Sequence, residues 1–296
     1  MSAIPSRLRA MGPNARGAMW AAAAVLAFAA MDTLVKWMGS SLHPLQIAFF
    51  RCVFALFATL PWLLMAAGMS GFRTRRLGGH FLRALFGYSA MATGFYALVH
   101  MNFADAVALG YVRTLFLVPL AVFLLGEAAN WRRWAAIAVG FAGVLVMLRP
   151  GAGVFDPVAL LALLSGFFVA CVSVAMKRLA ETERPQAILF WFAVFASLLS
   201  LGPALLVWRW PAGHEWPVLM FMGALGTLGQ YFIVRAYRIA EATAVDPVDY
   251  GRLVIVAIVG LAVFGEAIEL PTVLGAALIV LATLYIAREQ VAARRK

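Results

Sequence analysis

The segment Phe95–Glu127, FYALVHMNFADAVALGYVRTLFLVPLAVFLLGE, aligns without a gap with Val234–Glu266, VRAYRIAEATAVDPVDYGRLVIVAIVGLAVFGE. Ala97 falls on Ala236, Tyr111 on Tyr250, Arg113 on Arg252, and Gly126-Glu127 on Gly265-Glu266. The C-terminal half therefore repeats the N-terminal half. Outward from this segment, apolar stretches of about 20 residues recur, the length of one membrane-spanning helix. They lie at 17–38, 44–67, 81–100, 104–125, 131–149, 157–178, 186–208, 216–236, 242–264 and 271–287. Five spans per copy is an odd number, so the copies enter the membrane from opposite faces. The expected fold is an all-α integral membrane protein with ten transmembrane helices in two inverted five-helix repeats, 1–149 and 150–296. Segment 149–156, with Pro150 and Gly151, is the expected hinge between them.

Composition points the same way. The chain is 64% hydrophobic and 12% charged, with a mean hydropathy of +0.91, too little polar surface for a soluble domain of 296 residues. The segments are continuously apolar, which excludes the alternating pattern of a β-barrel. A net charge of +11 invites a nucleic-acid reading, but its distribution opposes it. Of the 24 Lys and Arg residues, 18 lie on the side of the N-terminus and three, Lys36, Arg149 and Arg209, on the other. By the positive-inside rule both termini are cytoplasmic. The basic excess is topological and implies no nucleic-acid partner.

Arg7, Arg9, Arg16 and Ala27-Phe28-Ala29 imitate a signal peptide, yet the apolar run continues to Met38, so a retained first span is expected. Cys52 and Cys171 sit in different spans without metal or redox spacing. Small residues crowd span five, including Gly140 and Gly143, and span eight, with Gly223, Gly226 and Gly229. In lipid such residues matter because they let helices approach closely. Tryptophans 20, 37, 62, 131, 134, 208, 210 and 216 lie near span ends, as interfacial anchors do.

Charge within the bilayer needs a partner, a wet cavity or a function. Arg113 and Arg252 lie about 14–15 Å into spans four and nine, near the midplane. Related by the repeat, they are expected to approach one another and to hold a carboxylate between guanidiniums. The alternative pairs them structurally with Asp105, Asp246 or Asp249. In span nine, Asp246-Pro247-Val248-Asp249-Tyr250-Gly251 predicts a kink near 242–246, with Asp246 or Asp249 as a proton-coupling group or as partners of Arg252 and Arg235. Asp32 has Lys36 one turn away as its nearest partner. Arg51 is read as snorkelling to the interface. Gly126-Glu127 and Gly265-Glu266 read as structural corners, the glycine ending a helix and the carboxylate facing the N-terminus of the next, with gating at opposite faces as the second reading.

Two five-span halves with a Gly-Glu corner after each fourth span resemble the EamA-type carriers of the drug/metabolite transporter superfamily. The matching strings are Leu125-Gly126-Glu127, Phe264-Gly265-Glu266, Ala30–Lys36 and Gln46–Arg51. The resemblance covers essentially the whole chain. It implies a multi-pass protein of the bacterial inner membrane, a central cavity, and alternating access without ATP. Cavity-facing candidates are Tyr88, Tyr96, Tyr111, Arg113, Gln230, Tyr231, Tyr250 and Arg252. That mixture of rings and guanidinium suits an amino-acid-derived carboxylate or metallophore-like compound moved outward, with uptake of a riboflavin-like or nucleoside-like cofactor as the alternative. The expected partners are a small-molecule substrate, the lipid bilayer and coupling protons. No cofactor, metal or catalytic residue is expected. No zinc-protease, nucleophile-elbow or Walker pattern appears, which opposes an enzyme or an ATP pump. A passive structural or signalling bundle would have no need of midplane arginines.

Overall fold

In lipid a backbone must satisfy its own N–H and C=O groups, and a helix does so within one segment. The computed structural model describes residues 12–67, 73–127, 129–149, 156–240 and 242–294. Positions 150–155 of the expected hinge lie outside the described residues. Among those described there is no strand. The helices are α1 (Pro13–Met38), α2 (Pro44–Ala67), α3 (Leu77–His100), α4 (Phe103–Gly110), α5 (Arg113–Leu125), α6 (Trp131–Leu148), α7 (Val158–Ala180), α8 (Pro185–Leu206), α9 (Glu215–Ile239), α10 (Ala242–Asp249), α11 (Gly251–Phe264) and α12 (Leu270–Arg294). Among the described residues, eight segments are long and apolar enough to cross a membrane, with α4–α5 counting as one and Pro247–Phe264 as another. α2 supplies a shorter apolar stretch, Pro44–Leu60. α3 is 24 residues long, but His80, Arg83 and its glycines dilute its hydropathy.

Packing runs between the halves. α1 lies along α9, α3 along α7, and α6 along α12. The small residues of α6 have a specific use: a Cβ on Gly143 would stand 2.7 Å from the Gly275 carbonyl oxygen, so the two backbones touch. A continuous core runs through α1–α9, α11 and α12, with Val35, Ile47, Phe103, Leu115 and Met222 sealed inside it. Trp131 and Trp210 are each 74% exposed, as anchors would be. Trp208 and Trp216 differ from expectation. They turn inward on Phe49, Phe50 and Phe54 as an aromatic cluster.

The break in the ninth predicted span falls after Pro247, at Tyr250, rather than near 242–246. A second break, at Tyr111-Val112, lies at the matching position of the first copy and contains no proline. There Tyr111 N–H bonds Ala108 O, Val112 N–H bonds Leu109 O and Leu115 N–H bonds Val112 O, so the helix tightens into a short 3₁₀ turn. Tyr250 has the same backbone angles, φ −67° and ψ −17°, and Leu253 N–H reaches back to its carbonyl. Each break ends in an arginine one or two residues on. The two copies also end alike, on Gly126 at φ 68° and Gly265 at φ 66°, a left-handed conformation that favours glycine.

Candidate functional site

The helix breaks set the arginines. Arg113 opens α5 and its Nη2 donates to Asp249 Oδ2 at 2.7 Å. Arg252 opens α11 and grips Asp32 of α1 through Nη2 and, at 2.8 Å, through Nε. Asp32 is 1% exposed. Each arginine therefore takes its carboxylate from the opposite half of the chain. The pairing departs from expectation at Asp32, which binds Arg252 and not its helical neighbour Lys36. Between the two pairs the rings of Tyr111 and Tyr250 sit 4.9 Å apart. Tyr111 Oη donates to the Asp249 carbonyl at 2.7 Å, and Tyr250 Oη bonds the buried Thr283 hydroxyl. The result is a crosslinked polar belt at the breaks.

A chamber of about 370 Å³ opens beside this belt. Four arginines line it, Arg51, Arg83, Arg113 and Arg252, against one carboxylate among the described residues, Asp32. Met31, Met91, Phe95, Tyr111 and Phe192 supply sulfur and ring faces, and Gln230 and Ser165 supply neutral polar groups. A second cavity of about 420 Å³ adjoins it through Arg51, Leu189, Phe192 and Gln230, and Tyr231 lines only this outer space.

The remaining candidates are placed elsewhere. Tyr88 is buried beside the chamber wall with its hydroxyl unpartnered. Tyr96 stacks on His100, 4.0 Å between centroids, away from the chamber. Asp105 sits in a narrow crevice with Glu266 and Thr272. The side chain of Asp246 lies outside the described residues. Sequence reasoning passed over two chamber residues. Arg51 was assigned to the interface and Arg83 to the basic flank. A usable signal existed: neither has an acid three or four positions away, where a helix would pair it.

The Gly-Glu corners engage lysines of the opposite half. Glu266 receives Lys36 Nζ at 2.7 Å and the Phe103 N–H at the start of α4, also at 2.7 Å. Lys36 further donates to the carbonyls of Leu98 and Met101. A carboxylate at a helix N-terminus is well placed, though this helix belongs to the other half, not to the one that follows the corner. Glu127 meets Lys177, while Arg178 caps the Leu124 carbonyl. The two ends are unequal: Lys36 and Glu266 side chains are 8% and 18% exposed, Lys177 and Glu127 54% and 38%. In the turn at the Lys36 end, burial and then the neighbouring His100 hold the His43 imidazole below its ordinary pKa, so it adds no charge there.

Helices that traverse a bilayer around a charged, ring-lined chamber define a multi-pass membrane transporter. Residues 15–149 and 156–288 each match the EamA-like transporter family, and the chain belongs to that family. It is 32% identical over 270 residues to an S-adenosylmethionine uptake transporter of Rickettsia prowazekii, covering 91% of this chain and 92% of the relative. A riboflavin transporter of Rhizobium johnstonii is 31% identical, with 95% and 93% covered. A pseudopaline exporter, CntI, of Pseudomonas aeruginosa is 30% identical, with 92% and 96% covered. A solved crystal structure superposes at a TM-score of 0.62 and 22% identity, spanning 93% of this chain and 99% of the other, a likeness of fold.

Proposed function

We propose that this chain is a secondary transporter of the bacterial inner membrane that takes up an amino-acid-derived, ring-bearing carboxylate by alternating access. The observation that carries the reading is the chamber's surplus of guanidinium: of the four arginines that line it, Arg113 and Arg252 are offset by Asp249 and Asp32 and two are not, in a volume suited to one small molecule. Two further features support it. The packing of α1 on α9 and of α7 on α3 exchanges under the sequence repeat, which is the exchange two related halves in an inverted-repeat carrier would make. The Lys36 end is sealed while the Lys177 end is loose, as in a carrier open to one side.

S-adenosylmethionine is the first compound to test. It joins an amino-acid carboxylate to a flat heteroaromatic ring but also carries an ammonium and a sulfonium; the chamber offers arginines for the carboxylate, and the faces of Phe95, Tyr111 and Phe192 for the ring and the cationic groups. The Rickettsia relative supports the same cargo and an inward direction. The Pseudomonas exporter favours a second reading, outward movement of an amino-acid-derived metabolite. Proteoliposomes holding the full chain and unlabelled S-adenosylmethionine should accumulate the labelled compound by counterflow, faster than liposomes loaded with riboflavin. Absence of counterflow for every loaded carboxylate would remove the transport reading. Exchange of other amino-acid derivatives in its place would remove only the cargo.

A further inference from the structure

The four chamber arginines are not equivalent. Arg113 and Arg252 are each neutralised by a carboxylate from the other half. Among the described residues, neither Arg51 nor Arg83 has a carboxylate at salt-bridge distance, though Asp32 acts on Arg51 from further off. Arg83 is 7% exposed, donates through Nε to the Met176 sulfur at 2.8 Å, and leaves Nη1 buried without a partner. Its guanidinium lies over the Phe192 ring, 4.3 Å from the centroid, at the wall shared by the two cavities. Arg51 meets the Met91 sulfur at 3.5 Å and the neighbouring Cys52 thiol, and its Nε is likewise buried and without a hydrogen-bond partner. α9 makes room for this head with Gly226, where a Cβ would stand 3.1 Å from both Nε and Nη2.

Thioether sulfur is a weak acceptor for a guanidinium. A buried cation left with such contacts is costly unless an anion arrives. The charge of each ion-paired arginine is already offset by a carboxylate, so its remaining N–H donors attract a second anion less strongly than an unpaired guanidinium does. Resting on the reading of this chamber as the cargo site, we infer that Arg51 and Arg83 are the anion-binding groups that hold the substrate's carboxylate, while the Arg113–Asp249 and Arg252–Asp32 pairs position the broken helices. Arg83 lies about 9 Å along α3 from its Leu77 end, and Arg51 about 10 Å along α2 from Pro44. They thus stand at two depths, one toward the loose Lys177 end and one toward the sealed end.

The test compares S-adenosylmethionine with its decarboxylated analogue, a pair differing only in the carboxylate, in proteoliposomes of the full chain. The wild type should prefer the carboxylated compound. Arg51→Gln and Arg83→Gln should each raise KM for it by about tenfold or more and leave the analogue little changed. Arg83→Lys should recover part of the preference. A merely structural role would depress both compounds together, and an unchanged preference in both Gln variants would overturn the inference. If the wild type moves neither compound, the cargo reading fails and a second measurement judges the site. In phenylglyoxal footprinting read by mass spectrometry, benzoate should slow the adducts at Arg51 and Arg83 and leave the rates at Arg113 and Arg252 unchanged. Protection of the latter two with none of the former would overturn it independently.

Discussion

Asp32 is the residue on which the polar belt turns, because it is the one chamber carboxylate among the described residues and Arg252 holds it through two nitrogens. Removing one partner of a buried pair leaves the other charge uncompensated, at a cost of about 3–5 kcal/mol, whereas removing both is far milder. Asp32→Asn should therefore lower thermal stability in detergent markedly, and Asp32→Asn with Arg252→Met should recover most of the loss. A single variant as stable as the parent would show that the pair carries little. This pairing was illegible in the sequence for a physical reason. The partners are 220 positions apart, and the helical neighbour rule offered Lys36, which the fold directs to Glu266 instead. Arg113 and Arg252 themselves were legible, since charge deep in an apolar run stands out. Arg51 and Arg83, nearer to span ends, read equally well as snorkelling or flanking cations.

At the scale of elements, two devices shape the bundle: the short 3₁₀ turns at Tyr111-Val112 and Tyr250, and the bare crossing of α6 on α12. The repeated Tyr-x-Arg marked the position of both turns, but only proline gave a local reason to expect a break, and proline is present in one copy alone. Tertiary bonds explain the other, as Tyr111 Oη and Arg113 are both held by Asp249 across the halves. The small-residue stripe of α6 was equally visible, and its partner was not, because a stripe states closeness without naming the neighbour. With the Gly275 carbonyl oxygen 2.7 Å from a Gly143 Cβ, backbone must move to admit even a methyl group. Gly143→Ala should cost about 1–3 kcal/mol, read as a lower unfolding midpoint in detergent. Val139→Ala, one turn away on an exposed position, should change it little. Equal midpoints for both would remove the close crossing as a source of stability.

For the whole molecule, the two Lys–Glu corners behave as counterparts that cannot both be tight. Lys36 and Glu266 are enclosed by Phe103, Phe264 and the start of α4, where desolvation strengthens the pair. Lys177 and Glu127 stand largely in contact with solvent, where such a pair is worth at most about 1 kcal/mol. If the carrier alternates, the opposite state should bury Lys177 with Glu127 and expose Lys36 with Glu266, so weakening one corner shifts the population toward the other state. Lys36→Ala should open the sealed end. The check places a cysteine at Ser165 on the chamber wall, in a background with Cys52 and Cys171 changed to serine. An impermeant maleimide should reach it from the Lys177 side alone in that background, and from the Lys36 side once Lys36→Ala is added. Glu127→Ala should do the reverse: it weakens the pair that closes the opposite state, so reach from the Lys177 side should stay as it is or rise slightly, with none from the Lys36 side. Labelling from the Lys36 side before any lysine is changed would mean that this end is not the seal, and the asymmetry of the two corners would then have no bearing on access.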